Sequence, residues 1–512
     1  MEPTDELGYT KDGIHRGAFQ LEWPLGAGTS SACPGGIVTA RALVLTILGI
    51  LIAPWASAQV CLGNCQQETT PSVESTLRLG QHPPEGVACV ICHETDPQNA
   101  SAVAPPASGQ GCVDCHRKTT PGIVSDWELS KHRQNGVDCS ICHGEDHQTA
   151  TDVDKVKIPT PETCEPCHEA RVKQFTSGKH AAAWISMNAM PTIHWQPMAL
   201  IEGTKGCGGC HKVGLKSEAD IKELRKSGTG FGLASCDACH TRHTFSVEEA
   251  RQPQACETCH MGFDHPQWEM YSASKHGVRA LLKQTKSVPE NISGPTCQTC
   301  HMQEGNHAVR TAWGFLAVRL PMPDDKEWAA DRVTILQALG VLDPTGKPTA
   351  RLDAVKAADI ARLTQEAWQT ERDKMVKTCN QCHSVNFARA DLEKGDDLIK
   401  RADRLMAQAI QTVSALYADG VLAKPKTYAA AFPDLLTFHD APTEIEQKLF
   451  VMFLEHRMRA FQGSFHANPD YALWYGWSEM QRDLTEIRAL AEDMRARRPK
   501  AAPAAKPVAV KP

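Results

Sequence analysis

Apolar residues follow a helical period in one part of this 512-residue chain and no regular period in another. From about residue 325 to 500, the chain is rich in Ala, Leu, Glu and Arg, and apolar positions recur three and four residues apart. That spacing is typical of helices that bury one face. We therefore expect four long helices there, over Thr349–Thr378, Ala388–Asp419, Thr443–Gln462 and Ser478–Arg498.

Residues 59 to about 310 are instead rich in Pro, Gly, Thr and Lys, and predict loops with only short helices. Examples of such helices are Pro161–Thr176 and Lys216–Lys226. This composition cannot bury a conventional hydrophobic core unaided. Some other apolar material must fill the interior of this part.

The segment Ala40–Ala58 reads as a Sec-type signal peptide, with an arginine, a short apolar stretch and a small-x-small ending. We expect cleavage after Ala58 and a periplasmic mature protein. The apolar run is short for a membrane span, and Pro54 interrupts it. A retained membrane anchor is the alternative. The acidic, long stretch before the run is unusual for a signal peptide, and a start codon at Val38 would explain it.

The pentapeptide Cys-x-x-Cys-His occurs nine times and uses eighteen of the 21 cysteines. It is the attachment signal for c-type haem, in which two thiols bond to the haem vinyl groups and the histidine ligates the iron. The pattern predicts eight to nine covalently attached haems. The cysteines are Cys89, Cys92, Cys112, Cys115, Cys139, Cys142, Cys164, Cys167, Cys207, Cys210, Cys236, Cys239, Cys256, Cys259, Cys297, Cys300, Cys379 and Cys382, and the histidines are His93, His116, His143, His168, His211, His240, His260, His301 and His383.

Two other uses of cysteine fit the pattern less well. A disulfide framework does not require a histidine after every second cysteine. Zinc ribbons pair two Cys-x-x-Cys units around each ion and do not require that histidine either. Cys61 and Cys65 have no following histidine, and a disulfide is the expected state for them.

Histidines outside the motifs are numerous enough to ligate most of the irons from the second side. Haems that only transfer electrons favour two strong axial ligands, whereas a haem that binds a substrate needs an open position. Twelve such histidines follow Ala58. Five that lie close to motifs in sequence are the favoured second ligands: His132, His180, His243, His276 and His307.

The formal net charge of −6 does not favour nucleic acid or an anionic membrane surface as a partner. The predicted fold is mainly α, a multihaem cytochrome c with a loop-rich, haem-packed N-terminal part and a C-terminal bundle of long helices. We divide the chain into an N-terminal extension with the signal peptide (1–58), a multihaem domain (59–324), a helical domain carrying the last motif (325–500) and a disordered tail (501–512).

Whole phrases of the sequence resemble the octahaem hydroxylamine oxidoreductase family. They include CVDCHRKTTPGIVSDWELSKH, GVDCSICHGEDH, PTPETCEPCHEARVKQFTSGKHAAAW, GCGGCHKVG and MGFDHPQWEMYSASKHG, followed near the C-terminus by CNQCHSVNFARADLEKGD and FHANPDYALWYGW. The resemblance covers about residues 110 to 495 and includes the order and spacing of eight motifs. The motif at Cys89 is additional to the eight of that family.

The resemblance implies a homotrimeric periplasmic enzyme in which one haem performs the chemistry and the others relay electrons. The reactive haem falls on Cys207, Cys210 and His211. Oxidising members bond a tyrosine of a neighbouring subunit to this haem, and the candidates here are Tyr471 and then Tyr475. Members without that tyrosine resemble nitrite reductases.

The resemblance also places Asp264 and His265 on the distal side of the reactive haem as proton acceptors. The expected function is hydroxylamine oxidation to nitric oxide or nitrite, with electrons passing to a cytochrome or a quinone-linked protein. Nitrite or hydroxylamine reduction and hydrazine oxidation remain alternatives within the family. A non-catalytic electron-transfer cytochrome is the alternative from another class.

Overall fold

The computed structural model describes residues 109–187, 208–226, 235–314, 316–357, 362–426, 428, 431–436 and 441–497. The predicted signal peptide, Cys61, Cys65, the motif Cys89–Cys92–His93, Cys207 and the tail 501–512 lie outside these ranges. Within them the chain is helical, as predicted, and β structure is confined to one isolated bridge between Leu342 and Pro348.

The part that carries most motifs is built from short helices joined by turns. They are α1 (Gln110–Thr119), α2 (Pro121–Leu129), α3 (Lys131–Gln134), α4 (Cys139–His143), α5 (Pro161–Ser177), α6 (Ala183–Ser186), α7 (Gly208–His211), α8 (Glu218–Lys226), α9 (Val247–Ala250), α10 (Gln254–Glu257), α11 (Gln267–Ala273), α12 (Lys275–Gln284) and α13 (Cys297–His301). The predicted short helices correspond to α5 and α8.

Longer helices follow. They are α14 (Lys326–Ala338), α15 (Ala350–Ala357), α16 (Gln365–Cys379), α17 (Val385–Ala418), α18 (Glu444–Val451), α19 (Arg457–Phe465) and α20 (Glu479–Arg497), with π-helical turns at Met452–His456 and Asp470–Ser478. No helix within the described ranges is long and apolar enough to cross a membrane.

Three of the four predicted long helices are confirmed, and one is wrong. The stretch predicted as Thr349–Thr378 contains two helices, α15 and α16. Residues 362–364 are not helical, and the Thr364 side chain accepts a hydrogen bond from the backbone N–H of Ala367, which starts a new helix. Helix α14, which was not predicted, begins in the same way, because Asp325 caps the N–H groups of Glu327 and Trp328.

The core of the C-terminal bundle surrounds α17. Helices α14, α19 and α20 pack against it, and its inward face is fully buried at Met406, Ile410 and Val413. The bundle also reaches the motif-bearing part, because Asn468 donates a side-chain hydrogen bond to the carbonyl of Met270. The helical bundle is thus one wall of the region that holds the motifs.

An ionic cluster lies at the centre of the bundle. The Asp403 carboxylate is fully buried and accepts hydrogen bonds from Arg457 at 2.7 and 3.0 Å, from Arg332 at 3.2 Å and from the indole of Trp328 at 2.9 Å. Both guanidinium groups are at most 2 % exposed. One buried carboxylate is therefore the shared ion-pair partner of two buried cations.

We expect Asp403→Asn to lower the free energy of unfolding by about 3–5 kcal/mol, because it leaves two buried guanidinium groups without a counter-charge. The control is Asp419→Asn, which removes a half-exposed partner of Arg495 and should cost less than about 1 kcal/mol. Urea unfolding followed by circular dichroism measures both. Equal losses in the two variants would show that the buried charges need no compensation.

Candidate haem sites

Each motif brings two thiols and an imidazole together through local helix geometry. Cys139–His143 and Cys297–His301 are single helical turns, so their cysteines, three residues apart, share one face. Asp138 caps the first turn, and Thr296 and Thr299 form a capping box at the second. None of the fifteen described motif cysteines forms a disulfide. In these two motifs, the helical turn therefore presents both thiols for attachment to one flat group.

Seven motif histidines each face a second histidine at a nearly constant distance. The distances between ring centres are 6.2 Å for His116–His147, 6.2 Å for His168–His132, 6.2 Å for His143–His243, 6.2 Å for His240–His307, 6.0 Å for His260–His180, 6.4 Å for His301–His466 and 6.1 Å for His383–His276.

That distance fits an iron between the two rings. A metal–imidazole nitrogen bond is about 2.0 Å and the ring centre lies about 1.1 Å further, so two imidazoles on opposite sides of one ion have centres about 6.2 Å apart. Direct packing of aromatic rings shows no such constancy, since preferred centre distances range over roughly 4.5–7 Å. The seven pairs therefore fit haems with two histidine ligands.

The second nitrogen of several rings is already hydrogen-bonded, which orients the first toward the space between the pair. Nδ1 of His147 contacts Asp152 at 2.9 Å, Nδ1 of His307 contacts the Gly305 carbonyl at 2.9 Å, and Nδ1 of His466 contacts the Gln462 carbonyl at 2.8 Å. Such outer contacts fix the ring and leave Nε2 for a metal.

The structure places all five favoured second histidines opposite a motif histidine, and it adds two that sequence reasoning missed. His147 follows the third motif by four residues in CHGEDH, and this proximity was a usable signal. His466 lies far from its partner His301 in sequence, at the end of α19, and only the packing of the bundle brings the two together.

His211 differs from the other motif histidines. Within the described ranges, no histidine ring occupies the position opposite it. Its Nδ1 contacts the Ala183 carbonyl at 2.7 Å, which orients the ring as in the paired sites. Gly214 packs so tightly on the backbone of Trp184 that a Cβ there would overlap it. This is the motif to which the family resemblance assigns the reactive haem.

A carboxylate–imidazole pair lies beside the His211 motif. Nδ1 of His265 forms a short hydrogen bond with Asp264, and the His265 ring also hydrogen-bonds the backbone of Cys259. The Asp264 carboxylate is close enough to raise the pKa of Cys210, although burial and the neighbouring Cys259 contribute more. The predicted proton acceptors and the predicted reactive motif are therefore neighbours.

The electrostatics of this pair suit a proton acceptor. Burial alone would lower the pKa of His265, but the hydrogen bond and the negative charge of Asp264 outweigh it, and the pKa is raised. His265 also lies 5.9 Å from the ring of His260. Since His180 faces His260 as well, and the His265 ring is engaged by Asp264 and Cys259, we take His180 as the imidazole opposite His260.

The two candidate tyrosines lie on the π-helical turn Asp470–Ser478. The Tyr471 ring is partly buried and lies 5.3 Å from the ring of Tyr475. Burial and the charge of Glu269 raise the pKa of Tyr471. Tyr475 is 49 % exposed, next to the exposed side chains of Leu473 and Trp474. These side chains lie on the surface of the chain.

Comparison with known proteins gives the family. The model of the family described as "Seven times multi-haem cytochrome CxxCH" matches residues 108–334 and 349–430, which is more than half of the chain. The chain belongs to this multihaem cytochrome family. All eight motifs from Cys112 to His383 fall within the matched ranges, and the Cys89 motif precedes them. Covalently attached haem c is therefore the cofactor of this cytochrome.

Two relatives come from Kuenenia stuttgartiensis. A probable nitrite reductase–hydroxylamine oxidoreductase fusion protein is 27% identical over 417 residues, which is 67% of this chain and 44% of the fusion. The multihaem cytochrome thus spans less than half the length of that relative. The reducing HAO-like protein complex superposes with a TM-score of 0.57 at 25% identity, covering 76% of this chain and 85% of the other.

A third match supports the fold alone. A protein titled "Hypothetical multiheme protein" superposes with a TM-score of 0.55 at 20% identity, over 79% of this chain and 99% of the other. Together the matches place the multihaem cytochrome among redox proteins related to hydroxylamine oxidoreductases and nitrite reductases.

Contacts between motifs connect the haem sites into one line with a side branch. Thiols of different motifs are within hydrogen-bonding reach at Cys164–Cys236, Cys256–Cys297 and Cys210–Cys259. Further cysteine neighbours are Cys112–Cys139, Cys142–Cys164, Cys239–Cys256 and Cys300–Cys379. The motifs therefore follow one another in sequence order from Cys112 to Cys379, except that the His211 motif branches from the motif at Cys256.

Proposed function

We propose that this multihaem cytochrome oxidises hydroxylamine to nitric oxide or nitrite at the haem of His211. The proposal rests on two features that occur together at that motif. His211 faces no second imidazole among the described residues, and the Asp264–His265 pair lies beside its Cys210. When bound, this haem supplies an iron with an open coordination position and a first acceptor for electrons.

The proposed reaction requires a proton acceptor as well as an electron acceptor. Oxidation of hydroxylamine to nitric oxide releases three protons and three electrons, and its oxidation with water to nitrite releases five protons and four electrons. His265 receives protons in its neutral form, and Asp264 holds the ring through Nδ1 and stabilises the resulting imidazolium. Gln462, which donates to the Asp264 carbonyl at 3.5 Å and accepts from Gln267 at 3.0 Å, holds the segment in place.

Reduction of nitrite or hydroxylamine is the second candidate, and the name of a structural relative favours it. The Kuenenia complex is titled a reducing HAO-like protein, and it is 25% identical to this chain. Hydrazine oxidation would use the same residues as hydroxylamine oxidation. A cytochrome that only transfers electrons would have no use for a proton acceptor beside an open haem.

The proposal extends to location and assembly. We place the protein in the periplasm after removal of the signal peptide, because haem is attached to Cys-x-x-Cys-His outside the cytoplasm. A homotrimer would bring the Tyr471–Tyr475 turn of one subunit to the His211 haem of another. The exposed Leu473, Trp474 and Tyr475 supply apolar surface for that contact. Electrons would leave to a cytochrome or a quinone-linked protein.

The tyrosine link is tested by the optical spectrum of the dithionite-reduced holoprotein. If Tyr471 is bonded to the His211 haem, the spectrum contains a red-shifted band. Tyr471→Phe should abolish this band, and Tyr475→Phe should retain it. The reverse result would assign the link to Tyr475. A fully haem-loaded protein with only ordinary c-type bands would overturn the link and favour the reductase.

Steady-state assays of the same preparation separate the candidate functions. Oxidation is measured with hydroxylamine or hydrazine and an artificial electron acceptor, and reduction with nitrite or hydroxylamine and a reduced dye. The proposal predicts that hydroxylamine oxidation is the faster reaction. Faster reduction would establish the second candidate, and no turnover in either direction would leave an electron conduit.

A further inference from the structure

A polar cavity lies away from the His211 motif. Its volume is about 160 Å³, and its walls come from the segment that follows the Cys297 motif and from helix α16. The polar lining consists of Arg310, Thr311, Arg319, Thr370 and Glu371. A water molecule occupies about 30 Å³, so the cavity holds a group of a few non-hydrogen atoms. Arg310 and Thr370 are exposed, so the cavity opens at the surface.

Arg319 is the unusual member of this lining. It is only 4 % exposed, and its Nε finds no hydrogen-bond acceptor among the described residues. Burial, and then the charge of Arg310, lower the pKa of Arg319 to about 10, while Glu371 acts in the opposite direction. A buried cation with an unused N–H group costs stability unless something else binds it.

Positive charge exceeds negative charge around the cavity. Arg310 is near enough to act on Arg319, and it donates Nη2 to the Ser177 carbonyl. Lys179 is a third cation near both arginines. The one carboxylate of the lining, Glu371, is itself engaged by Lys374 at 2.8 Å.

We propose that this cavity binds a small inorganic oxyanion through Arg319 and Arg310. Oxygen acceptors of nitrite, phosphate or sulfate would satisfy the unused guanidinium N–H and neutralise the excess charge. The volume admits these compact anions. The site does not depend on the reaction proposed for the His211 haem, although nitrite would connect the two.

The test is isothermal titration of the holoprotein with sodium nitrite, phosphate or sulfate, each at the same ionic strength maintained with chloride. Arg319→Met should weaken binding of the preferred anion about tenfold or more, because it removes a charged hydrogen-bond donor. Glu371→Gln should strengthen the same binding about threefold, since it removes the one negative charge of the lining. The anion bound most tightly identifies the natural class.

Thermal unfolding supplies a second readout with a matched control. Without added oxyanion, Arg319→Met should unfold at the same or a higher temperature than the unmodified protein, because an uncompensated buried charge is removed. Arg332→Met, an arginine of similar burial that is paired with Asp403, should unfold at a lower temperature and keep its anion affinity. Unchanged affinity in both Arg319→Met and Glu371→Gln, or equal responses to every salt including chloride, would overturn the proposal.

Discussion

Replacing Asp264 with asparagine should reduce hydroxylamine turnover about a hundredfold or more, which is the usual contribution of a positioned proton acceptor. The variant keeps the shape of the side chain and an oxygen acceptor for Nδ1 but loses the negative charge that stabilises the His265 imidazolium. Steady-state kcat with an artificial electron acceptor measures the loss. The absorbance of the paired haems should stay unchanged, which separates this effect from loss of cofactor.

The pH dependence of kcat/KM is a second measurement on the Asp264→Asn variant. His265 accepts a proton only above its pKa, and Asp264 raises that pKa against the effect of burial. Removing the charge weakens the largest influences that oppose burial, so the pKa of His265 falls. The acid limb of kcat/KM should therefore move to lower pH in Asp264→Asn, below a reduced maximum.

Asp483→Asn is the matched control for Asp264→Asn. Asp483 contacts Nδ1 of His456 at 2.6 Å in a buried pair of the same chemistry, inside the helical bundle and away from the motifs. This change should lower stability and leave both kcat and the pH profile intact. An equal loss of turnover in the two variants would contradict a catalytic role for Asp264.

Carbon monoxide should bind one haem per chain in the reduced protein and two in His466→Gly. The reduced iron of a haem with two histidines has no open position, and His466 is the ring opposite His301. Removing the His466 ring should therefore open a second haem in addition to the one at His211. Titration followed by the absorbance change counts the sites.

His456→Gly is the control for the carbon monoxide experiment, since His456 pairs with Asp483 and with no motif histidine that the structure describes. It should keep one site. Binding of no carbon monoxide by the unmodified protein would contradict an open haem at His211 and support the electron conduit. Binding of two would show a second open haem, either at one of the seven pairs or at the Cys89 motif.

The sequence was sufficient for the residues whose chemistry is local. A thiol, a second thiol three residues later and an adjacent imidazole act as a unit within one helical turn, so the motifs could be identified without tertiary structure. The helices α17 and α20 were predictable for the same reason, because their apolar period is continuous. The break between α15 and α16 was missed, since the cap at Thr364 lies within a segment that otherwise keeps the period.

Contacts between residues far apart in the sequence could not be predicted from the motifs or from the apolar period. His466 meets His301 across more than 160 positions only because α19 packs against α11 and its neighbours. The Asp403 cluster likewise joins α14, α17 and α19. In both cases the residue type is ordinary, and the folded position alone gives it a role.

The side branch at the motif of Cys256 has a consequence for how the protein stores charge. Conversion of one hydroxylamine to nitrite delivers four electrons almost together, whereas an acceptor cytochrome collects them singly. With a haem at each motif, a row of neighbouring haem sites that extends in two directions from this junction would store several electrons during one turnover and release them later from either end. The chemical step then need not wait for an acceptor to dock, and a defect in one arm leaves the other arm open.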